Sequence, residues 1–213
     1  MNRKKRTRPL VTTWNNPRSP VAEAFRTLRT NISYAAVDRQ ARKILITGAD
    51  PDCGKSTITV NLGVALAQTG ASVLLVDADL RKPYLHRFFN SSNEPGLTNL
   101  IFNEALDLEA VVQPIGLDSL YLLASGPIPP YPAELLASDK MKNLLGRLAE
   151  RYEYVLIDSP PAIAVTDAAI LAQLVDGTVF VVEHGMGTRD EVLVALEQLR
   201  KVNAHILGAV FNG

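Results

Sequence analysis

The sequence of 213 residues is poor in cysteine and in long apolar runs. Its single cysteine, Cys53, excludes an internal disulfide and fits a reducing compartment such as the cytoplasm. Uninterrupted apolar runs reach only five residues, whereas a membrane-spanning helix needs about 20. We therefore expect neither a transmembrane helix nor a signal peptide. Apolar residues still make up 47% of the chain, which is enough for a globular core.

The chain also lacks a net charge, because 22 basic residues balance 22 acidic ones. Five of the basic residues lie within positions 3–8, so the rest of the chain carries a net charge of −5. An acidic body without a basic stripe argues against nucleic acid binding. We expect residues 1–18 to form a basic, flexible arm. This arm is either simply solvated or attracted to an anionic membrane surface.

Strand-like and helix-like segments alternate from residue 43 onward. Apolar segments typical of strands are Lys43–Thr47, Ser72–Asp77, Leu120–Ala124, Tyr154–Asp158, Thr178–Glu183 and His205–Phe211. Helices are expected over residues 56–69, 97–102, 133–151, 166–174 and 188–202. This alternation predicts an α/β fold with a doubly wound, mostly parallel sheet flanked by helices. We assign it to a single domain spanning residues 19–213.

A further helix is expected over about 19–35, with Ser19 as its N-cap and Pro20 at its first position. The apolar stripe of this helix consists of Val21, Phe25, Leu28 and Ile32, spaced i, i+4, i+7, i+11. The charged residues Glu23, Arg26 and Arg29 project away from that stripe. Their spacing alone indicates only a charged helix face.

A phosphate-binding loop is predicted where the first strand ends. Residues 47–57 read TGADPDCGKST, and a helix follows. This is the strand–loop–helix context of a P-loop, whose backbone N–H groups bind nucleotide phosphates. We expect Lys55 to reach the β- and γ-phosphates and the Ser56 hydroxyl to bind Mg²⁺. The predicted ATP-binding residues of the loop are Asp52, Cys53, Gly54, Lys55, Ser56 and Thr57.

The loop departs from the usual G-x-x-x-x-G-K-[ST] pattern. The first glycine would fall at Ala49, and Asp52 stands where many such loops carry glycine. If position 52 requires a positive φ, Asp tolerates it better than most residues. Because a carboxylate repels the triphosphate, we expect this side chain to point outward. Cys53 is either an oxidisable thiol activated by the helix N-terminus or only a small residue in a tight turn.

Three carboxylates are candidates for catalysis. Asp77 and Asp158 each end an apolar strand, where open α/β sheets bind ligands, and Asp79 follows two residues after Asp77. We expect Asp158 and Asp77 to share a Mg²⁺ ion, with Asp158 acting through its water shell. Asp79 would be the general base for an attacking hydroxyl. The next two cations, Arg81 and Lys82, either stabilise phosphate charge or face solvent.

These segments resemble the Walker A, Walker A′ and Walker B motifs of bacterial protein-tyrosine kinases from the capsular and exopolysaccharide biosynthesis family. The resemblance covers nearly the whole chain from Ser19. Its most specific part is Asp77–Pro83 (DADLRKP), because related ATPases usually lack this acid–acid–basic run. The resemblance identifies Glu23, Arg26 and Arg29 as the E-x-x-R-x-x-R element that packs subunits into a ring. It also makes Asn212 an adenine-contacting residue.

The resemblance implies an ATP- and Mg²⁺-dependent kinase of protein tyrosines that regulates polysaccharide synthesis and export. It implies activation by the cytoplasmic tail of a separate membrane protein. The chain would thus be cytoplasmic, held at the inner face of the membrane through that partner. The tyrosine cluster that such kinases phosphorylate between ring neighbours is not among these residues, since all six tyrosines precede residue 155.

Two rival functions belong to other classes. One is a partition-type ATPase that switches with its nucleotide. Such ATPases carry an additional lysine early in the loop, whereas positions 50–52 here read Asp-Pro-Asp. The other is a nucleotide-binding scaffold with little kinase activity, which the altered loop would allow.

Overall fold

A computed structural model describes residues 11–35, 41–185 and 187–213. Its strands are β1 Lys43–Gly48, β2 Val73–Asp77, β3 Gln113–Pro114, β4 Leu120–Leu123, β5 Tyr154–Asp158, β6 Gly177–Glu183 and β7 Ile206–Asn212. They form one sheet in the order β3-β4-β2-β5-β1-β6-β7. Strand β3 pairs antiparallel with β4, and the other neighbours pair parallel. The predicted doubly wound, mostly parallel sheet is confirmed.

Helices cover both faces of this sheet. They are α1 Thr12–Asn15, α2 Pro20–Ala35, α3 Lys55–Ala67, α4 Leu85–Phe89, α5 Leu97–Phe102, α6 Leu108–Val111, α7 Pro132–Leu136, α8 Asp139–Arg151, α9 Asp167–Ala172 and α10 Arg189–Lys201. Side chains of β1 alternate between two apolar clusters. Ile44 and Ile46 join the cluster that includes α2 and α3, and Leu45 joins the one that includes α8, α9 and α10. Burial on both faces explains the near-continuous apolar runs of the strands.

The N-terminal segment differs from the expected flexible arm. Residues 12–15 form α1, and both Val11 and Thr13 are buried. The backbone N–H and the hydroxyl of Thr13 donate to Oδ1 of Asn61, at 2.9 and 2.8 Å. The apolar Val11 and these buried hydrogen bonds hold the segment against α3. The expected arm therefore does not reach residue 18, and its first ten residues lie outside the described ranges.

Helix α2 begins as predicted but buries a slightly different face. The Ser19 hydroxyl accepts a hydrogen bond from the Ala22 N–H at 3.1 Å, which confirms the N-cap. Phe25 and Ile32 of the predicted stripe are buried. Val21, however, is 48% exposed, and the neighbouring Ala22 is fully buried in its place. The buried face of α2 is therefore rotated by about one residue from the predicted stripe at this end.

The single helix predicted over 133–151 is two helices. The chain leaves α7 after Leu136, and Ser138 caps α8 by accepting the Met141 N–H at 3.2 Å. Serine at a helix start satisfies a donor that the helix itself leaves free, which favours a new helix over continuation. The short elements β3, α4 and α6 were not predicted.

Candidate active site

The carboxyl ends of β1, β2 and β5 lie side by side in the sheet and open into one cleft of about 820 Å³. It is lined by residues 51–57 after β1, residues 79–88 after β2, residues 160–165 after β5, and Ile128 from the loop after β4. Neighbouring parallel strands that end at one edge create such a crevice in open α/β sheets. The fold thus brings together the phosphate loop and the segments bearing the three predicted carboxylates.

The phosphate loop has two residues in the left-handed region, Asp52 at φ 62° and Gly54 at φ 91°. Position 52 therefore has the backbone conformation that favours glycine. The Asp52 residue is exposed but lines the cleft, so the outward direction of its side chain stays a prediction. The φ of Gly54 favours glycine, and a β carbon there would lie 2.2 Å from Nδ2 of Asn212, so the Asn212 side chain would also have to move. Lys55 Nζ donates to the Asp50 carbonyl at 2.8 Å. Ser56 and Thr57, in the first turn of α3, line the cleft.

Cys53 is buried behind the loop. Its Sγ lies 3.7 Å from Lys55 Nζ and 3.8 Å from the Val181 carbonyl oxygen. Burial raises the pKa of the Cys53 thiol, although the charge of Lys55 acts in the opposite direction. A protonated, buried thiol is a poor nucleophile. The structure therefore favours the interpretation of Cys53 as a small residue in a tight turn over an activated thiol.

Asp158 lies against the first turns of α3. The Ser56 hydroxyl donates to its Oδ2 at 2.6 Å, and the Thr59 hydroxyl donates to its Oδ1 at 3.2 Å. Burial raises the pKa of Asp158 to about 7, even though the hydrogen bond from Ser56 and the charge of Lys55 lower it. A nearby cation would stabilise the ionised form of such a carboxylate, because it would compensate the buried negative charge.

Asp77 is the most deeply buried of the three carboxylates and pairs in register with Asp158 across β2 and β5. Its Oδ2 accepts the N–H groups of Tyr84 and Leu85, each at 2.9 Å, and so caps α4. Its Oδ1 is buried and has no hydrogen-bond partner in the described part of the chain. Burial, and then the charge of Asp158, raise the pKa of Asp77 well above its usual range. An unpaired buried carboxylate oxygen beside a second carboxylate fits a bound cation.

Asp79 has a different environment from the other two carboxylates. It lines the cleft, and its Oδ1 accepts the backbone N–H groups of Arg81 and Lys82 at 3.1 and 2.9 Å. These contacts form a tight turn that fixes the direction of the carboxylate. Asp79 is therefore accessible to a substrate in the cleft, whereas Asp77 and Asp158 lie behind the cleft wall.

Arg81 does not simply face solvent, which was one of its two expected roles. Its Nε and Nη2 donate to the two carboxylate oxygens of Asp167 at 2.8 and 3.0 Å. Asp167 is fully buried at the first residue of α9, while the Arg81 side chain is 40% exposed and lines the cleft. Sequence reasoning missed Asp167, because 86 residues separate it from its partner and its surroundings carry no motif.

Asn212 lies at the end of β7 and contacts the phosphate loop. Its Nδ2 donates to the Cys53 carbonyl at 3.2 Å, and the side chain packs against Gly54. The fold therefore brings this predicted nucleotide-binding residue to the site. Its contact with a base stays a prediction.

The three residues predicted for oligomerisation lie on α2 and are not among the residues lining the cleft. Arg26 pairs with Glu23 at 2.5 Å and also donates to the Pro17 carbonyl. Arg29 donates to the Ala65 carbonyl at 2.9 Å, near the C-terminal end of α3. That contact helps satisfy a carbonyl left free at the helix end. Arg29 therefore has an intrachain role that the sequence did not indicate.

The donor set suits Mg²⁺ rather than a transition metal. Within the described ranges, no group of three or more His, Cys, Asp or Glu side chains could hold a metal ion. Ser56, Asp77 and Asp158 instead offer a few oxygen ligands beside the loop. Mg²⁺ is usually bound in this way, by one or two carboxylates together with substrate phosphates and water.

A parallel sheet with a phosphate loop after β1, and acidic residues ending β2 and β5, defines a P-loop nucleotide-binding protein. Residues 41–186 match the family described as AAA domain. Solved structures of the septum-site protein MinD share the fold. The MinC:MinD complex of Aquifex aeolicus has a TM-score of 0.67 at 23% identity, over 80% of this chain and 68% of that one.

Closer similarity is found to tyrosine kinases. The chain is 43% identical to tyrosine-protein kinase YwqD of Bacillus subtilis over 212 residues, which are 100% of this chain and 89% of the relative. It is 36% identical to tyrosine-protein kinase etk of Escherichia coli over 93% of this chain, but spans only 27% of that longer protein. The solved kinase domain of ETK has a TM-score of 0.91 at 35% identity, covering 99% and 82% of the two chains.

The crystal structure of the chimerical protein CapA2B2 also has a TM-score of 0.91, at 39% identity, over 95% of this chain and 88% of that one. The chain therefore belongs to the family of bacterial protein-tyrosine kinases. The described residues contain no helix long and apolar enough to cross a bilayer.

Proposed function

We propose that this protein transfers the γ-phosphoryl group of Mg²⁺-ATP to tyrosine hydroxyls of protein substrates. Through this reaction it would regulate the synthesis and export of a capsular or extracellular polysaccharide. The observation that carries the proposal is the different exposure of three carboxylates at one sheet edge. Asp79 lines the cleft, while Asp77 and Asp158 are buried behind it. One accessible base beside two buried cation ligands is what phosphoryl transfer to an external hydroxyl requires.

Nucleotide binding would use the loop after β1. Its backbone N–H groups and the N-terminus of α3 would bind the phosphates, with Lys55 directed to the β- and γ-phosphates. Ser56, Asp77 and Asp158 would hold Mg²⁺, which supplies charge neutralisation for the transferred group. Oδ1 of Asp77, which has no hydrogen-bond partner among the described residues, supports this role. Asn212, which contacts the loop, would lie near the base.

Asp79 would act as the general base. As the tyrosine oxygen attacks the γ-phosphorus, its proton passes to the Asp79 carboxylate and ADP leaves. The two backbone N–H groups on Oδ1 hold the carboxylate in one orientation, which favours a productive approach. Arg81, on the same turn, would add positive charge beside the phosphates.

Assembly and activation belong to the same proposal. Glu23, Arg26 and Arg29 on α2 would contact a neighbouring subunit in a ring. The Glu23–Arg26 pair supports this: Glu23 is exposed, and within the described chain the polar side-chain partners of the pair are each other and the Pro17 carbonyl. The cytoplasmic tail of a membrane protein would activate the kinase and hold it at the inner face of the membrane. A chimera named CapA2B2 is among the similar structures.

A phosphorylation assay tests this function. The purified protein, with Mg²⁺-ATP and the cytoplasmic tail of its membrane partner, should place phosphate on tyrosine of an added peptide. Lys55→Met should abolish the product and weaken ATP binding, because the phosphates lose their cation. Asp79→Asn should abolish the product while ATP still binds, because only the base is lost.

Asp118→Asn, which makes the same chemical change at an exposed site, is the matched control and should retain activity. A wild-type protein that binds ATP but forms no phosphotyrosine would contradict the kinase proposal. That result would favour the nucleotide-binding scaffold.

A further inference from the structure

Asp167 is a buried carboxylate beside the cleft that has no role in the reaction described above. It begins α9, nine residues after Asp158, and is fully buried. A buried carboxylate is costly unless a cation pairs with it. Its partner is Arg81, which comes from the segment after the neighbouring strand β2.

The pair has a geometry that restricts movement. Both carboxylate oxygens of Asp167 accept hydrogen bonds from the guanidinium of Arg81, at 2.8 and 3.0 Å. Two parallel hydrogen bonds fix the plane and the direction of the guanidinium as well as its distance. The ion pair therefore ties the segment that follows β2 to the start of α9.

The same arginine is fixed at its backbone. The Arg81 N–H donates to Oδ1 of Asp79 at 3.1 Å, next to the Lys82 N–H at 2.9 Å. Asp167, Arg81 and Asp79 thus form one continuous chain of contacts from the interior to the cleft. Movement of Arg81 would change the turn that orients Asp79.

We infer that Asp167 is a positioning residue for phosphoryl transfer: by holding Arg81, it keeps the Asp79 carboxylate directed into the cleft. This inference rests on the proposed function of Asp79 as the base. Without Asp167, the partly exposed guanidinium is free to turn toward Asp79. It would then neutralise the base and change its direction. Nucleotide binding depends on the separate loop after β1 and should be little affected.

Asp167→Asn tests the inference, because asparagine keeps the shape of the side chain and removes its charge. We expect kcat for peptide phosphorylation to fall at least about ten-fold, since small displacements of reacting groups have large effects on rate. The KM for ATP should change less than about two-fold. Glu109→Gln, which breaks the exposed ion pair with Arg151 far from the cleft, is the matched control and should leave kcat unchanged.

The double variant Asp167→Asn plus Arg81→Met separates the possible roles and leaves no buried charge unpaired. If the two residues act as one unit, the double variant should be no slower than the slower single variant. An Asp167→Asn protein with lowered thermal stability but wild-type kcat would overturn the inference, since the pair would then be only structural. Rate losses that multiply in the double variant would also overturn it.

The wild-type protein distinguishes this inference from the function on which it rests. If wild type forms no phosphotyrosine, the proposed function fails and the inference fails with it. If wild type and Asp167→Asn are equally active, the inference alone is wrong.

Discussion

The buried carboxylate Asp158 makes the stability of the nucleotide-free protein depend on pH in a specific direction. Burial raises its pKa to about 7 in the folded state, from an ordinary value of 3.8. The folded protein therefore binds this proton more tightly than the unfolded chain does. The resulting stabilisation is complete below pH 3.8 and is lost as the pH rises to about 7.

The size of this effect follows from the two pKa values. They differ by about three pH units, and each unit corresponds to 1.36 kcal/mol, so the whole loss is about 4 kcal/mol. Roughly 3 kcal/mol of it falls between pH 5 and pH 8. Asp77 changes in the same direction, because its burial also raises its pKa. Paired surface carboxylates have the opposite dependence, so wild type alone cannot isolate the effect.

The comparison of wild type with Asp158→Asn measures it, together with the part of the Asp77 pKa shift that the charge of Asp158 causes, which acts in the same direction. Urea unfolding should be measured at pH 5 and pH 8, followed by the fluorescence of Trp14, the single tryptophan. The amide will leave Ser56 or Thr59 with a poorer partner, which costs about 1 kcal/mol at both pH values and cancels. Relative to wild type, the variant should gain roughly 3 kcal/mol on going from pH 5 to pH 8.

Asp118→Asn, at an exposed position, should show no such gain. The difference between Asp158→Asn and wild type in the free energy of unfolding could change by less than about 1 kcal/mol between the two pH values. In that case, ionisation of Asp158 does not destabilise the fold by the amount given above.

Two further predictions concern the loop and α2. Asp52→Gly and Asp52→Asn should both tighten Mg²⁺-ATP binding on the order of five-fold by calorimetry, because each removes a negative charge near the triphosphate; a change below two-fold in both would refute this. Only the glycine variant also removes the backbone strain of the left-handed conformation at position 52, which is about 1 kcal/mol. If only that variant binds ATP more tightly, the effect comes from backbone strain and not from charge. Glu23→Ala plus Arg26→Ala should lower the oligomer mass in light scattering, since the exposed pair would contact the next subunit. Lys142→Ala, exposed on α8, is the control. An unchanged mass in the double variant would show that Glu23 and Arg26 are ordinary surface residues with no role in oligomerisation.

Most strands could be predicted from the sequence because of their position inside the sheet. The central strands β1, β2 and β5 are buried on both faces, so each appears in the sequence as a short apolar run, and β2 and β5 end in an aspartate. Asp77 and Asp158 could be assigned to one sheet edge for this reason alone. Two-residue β3 has no such run. The break before α8 depends on one serine hydroxyl, which single-sequence periodicity does not detect.

The features that sequence reasoning missed depend on contacts between distant residues. Helix α4 is only five residues long, and the donors at its start are satisfied by the side chain of Asp77. Local propensity contains no information about that carboxylate. Asp167 was missed for the same reason, since it matters through its ion pair with Arg81, which lies in the segment after β2. The intrachain contact of Arg29 with α3 was hidden for the same reason.

The position of each carboxylate relative to the end of its strand explains whether it binds a cation or faces the cleft. It also explains the free-energy cost of burying its charge. Asp77 and Asp158 are the last residues of buried strands, so each oxygen without a donor needs a cation. Asp79, two residues beyond the end of β2, emerges into the cleft. Stability and nucleotide binding therefore depend on the same buried pair. Mg²⁺-nucleotide should raise the free energy of unfolding more at pH 8, where Asp158 is largely charged, than at pH 5, where a proton competes for the same oxygens.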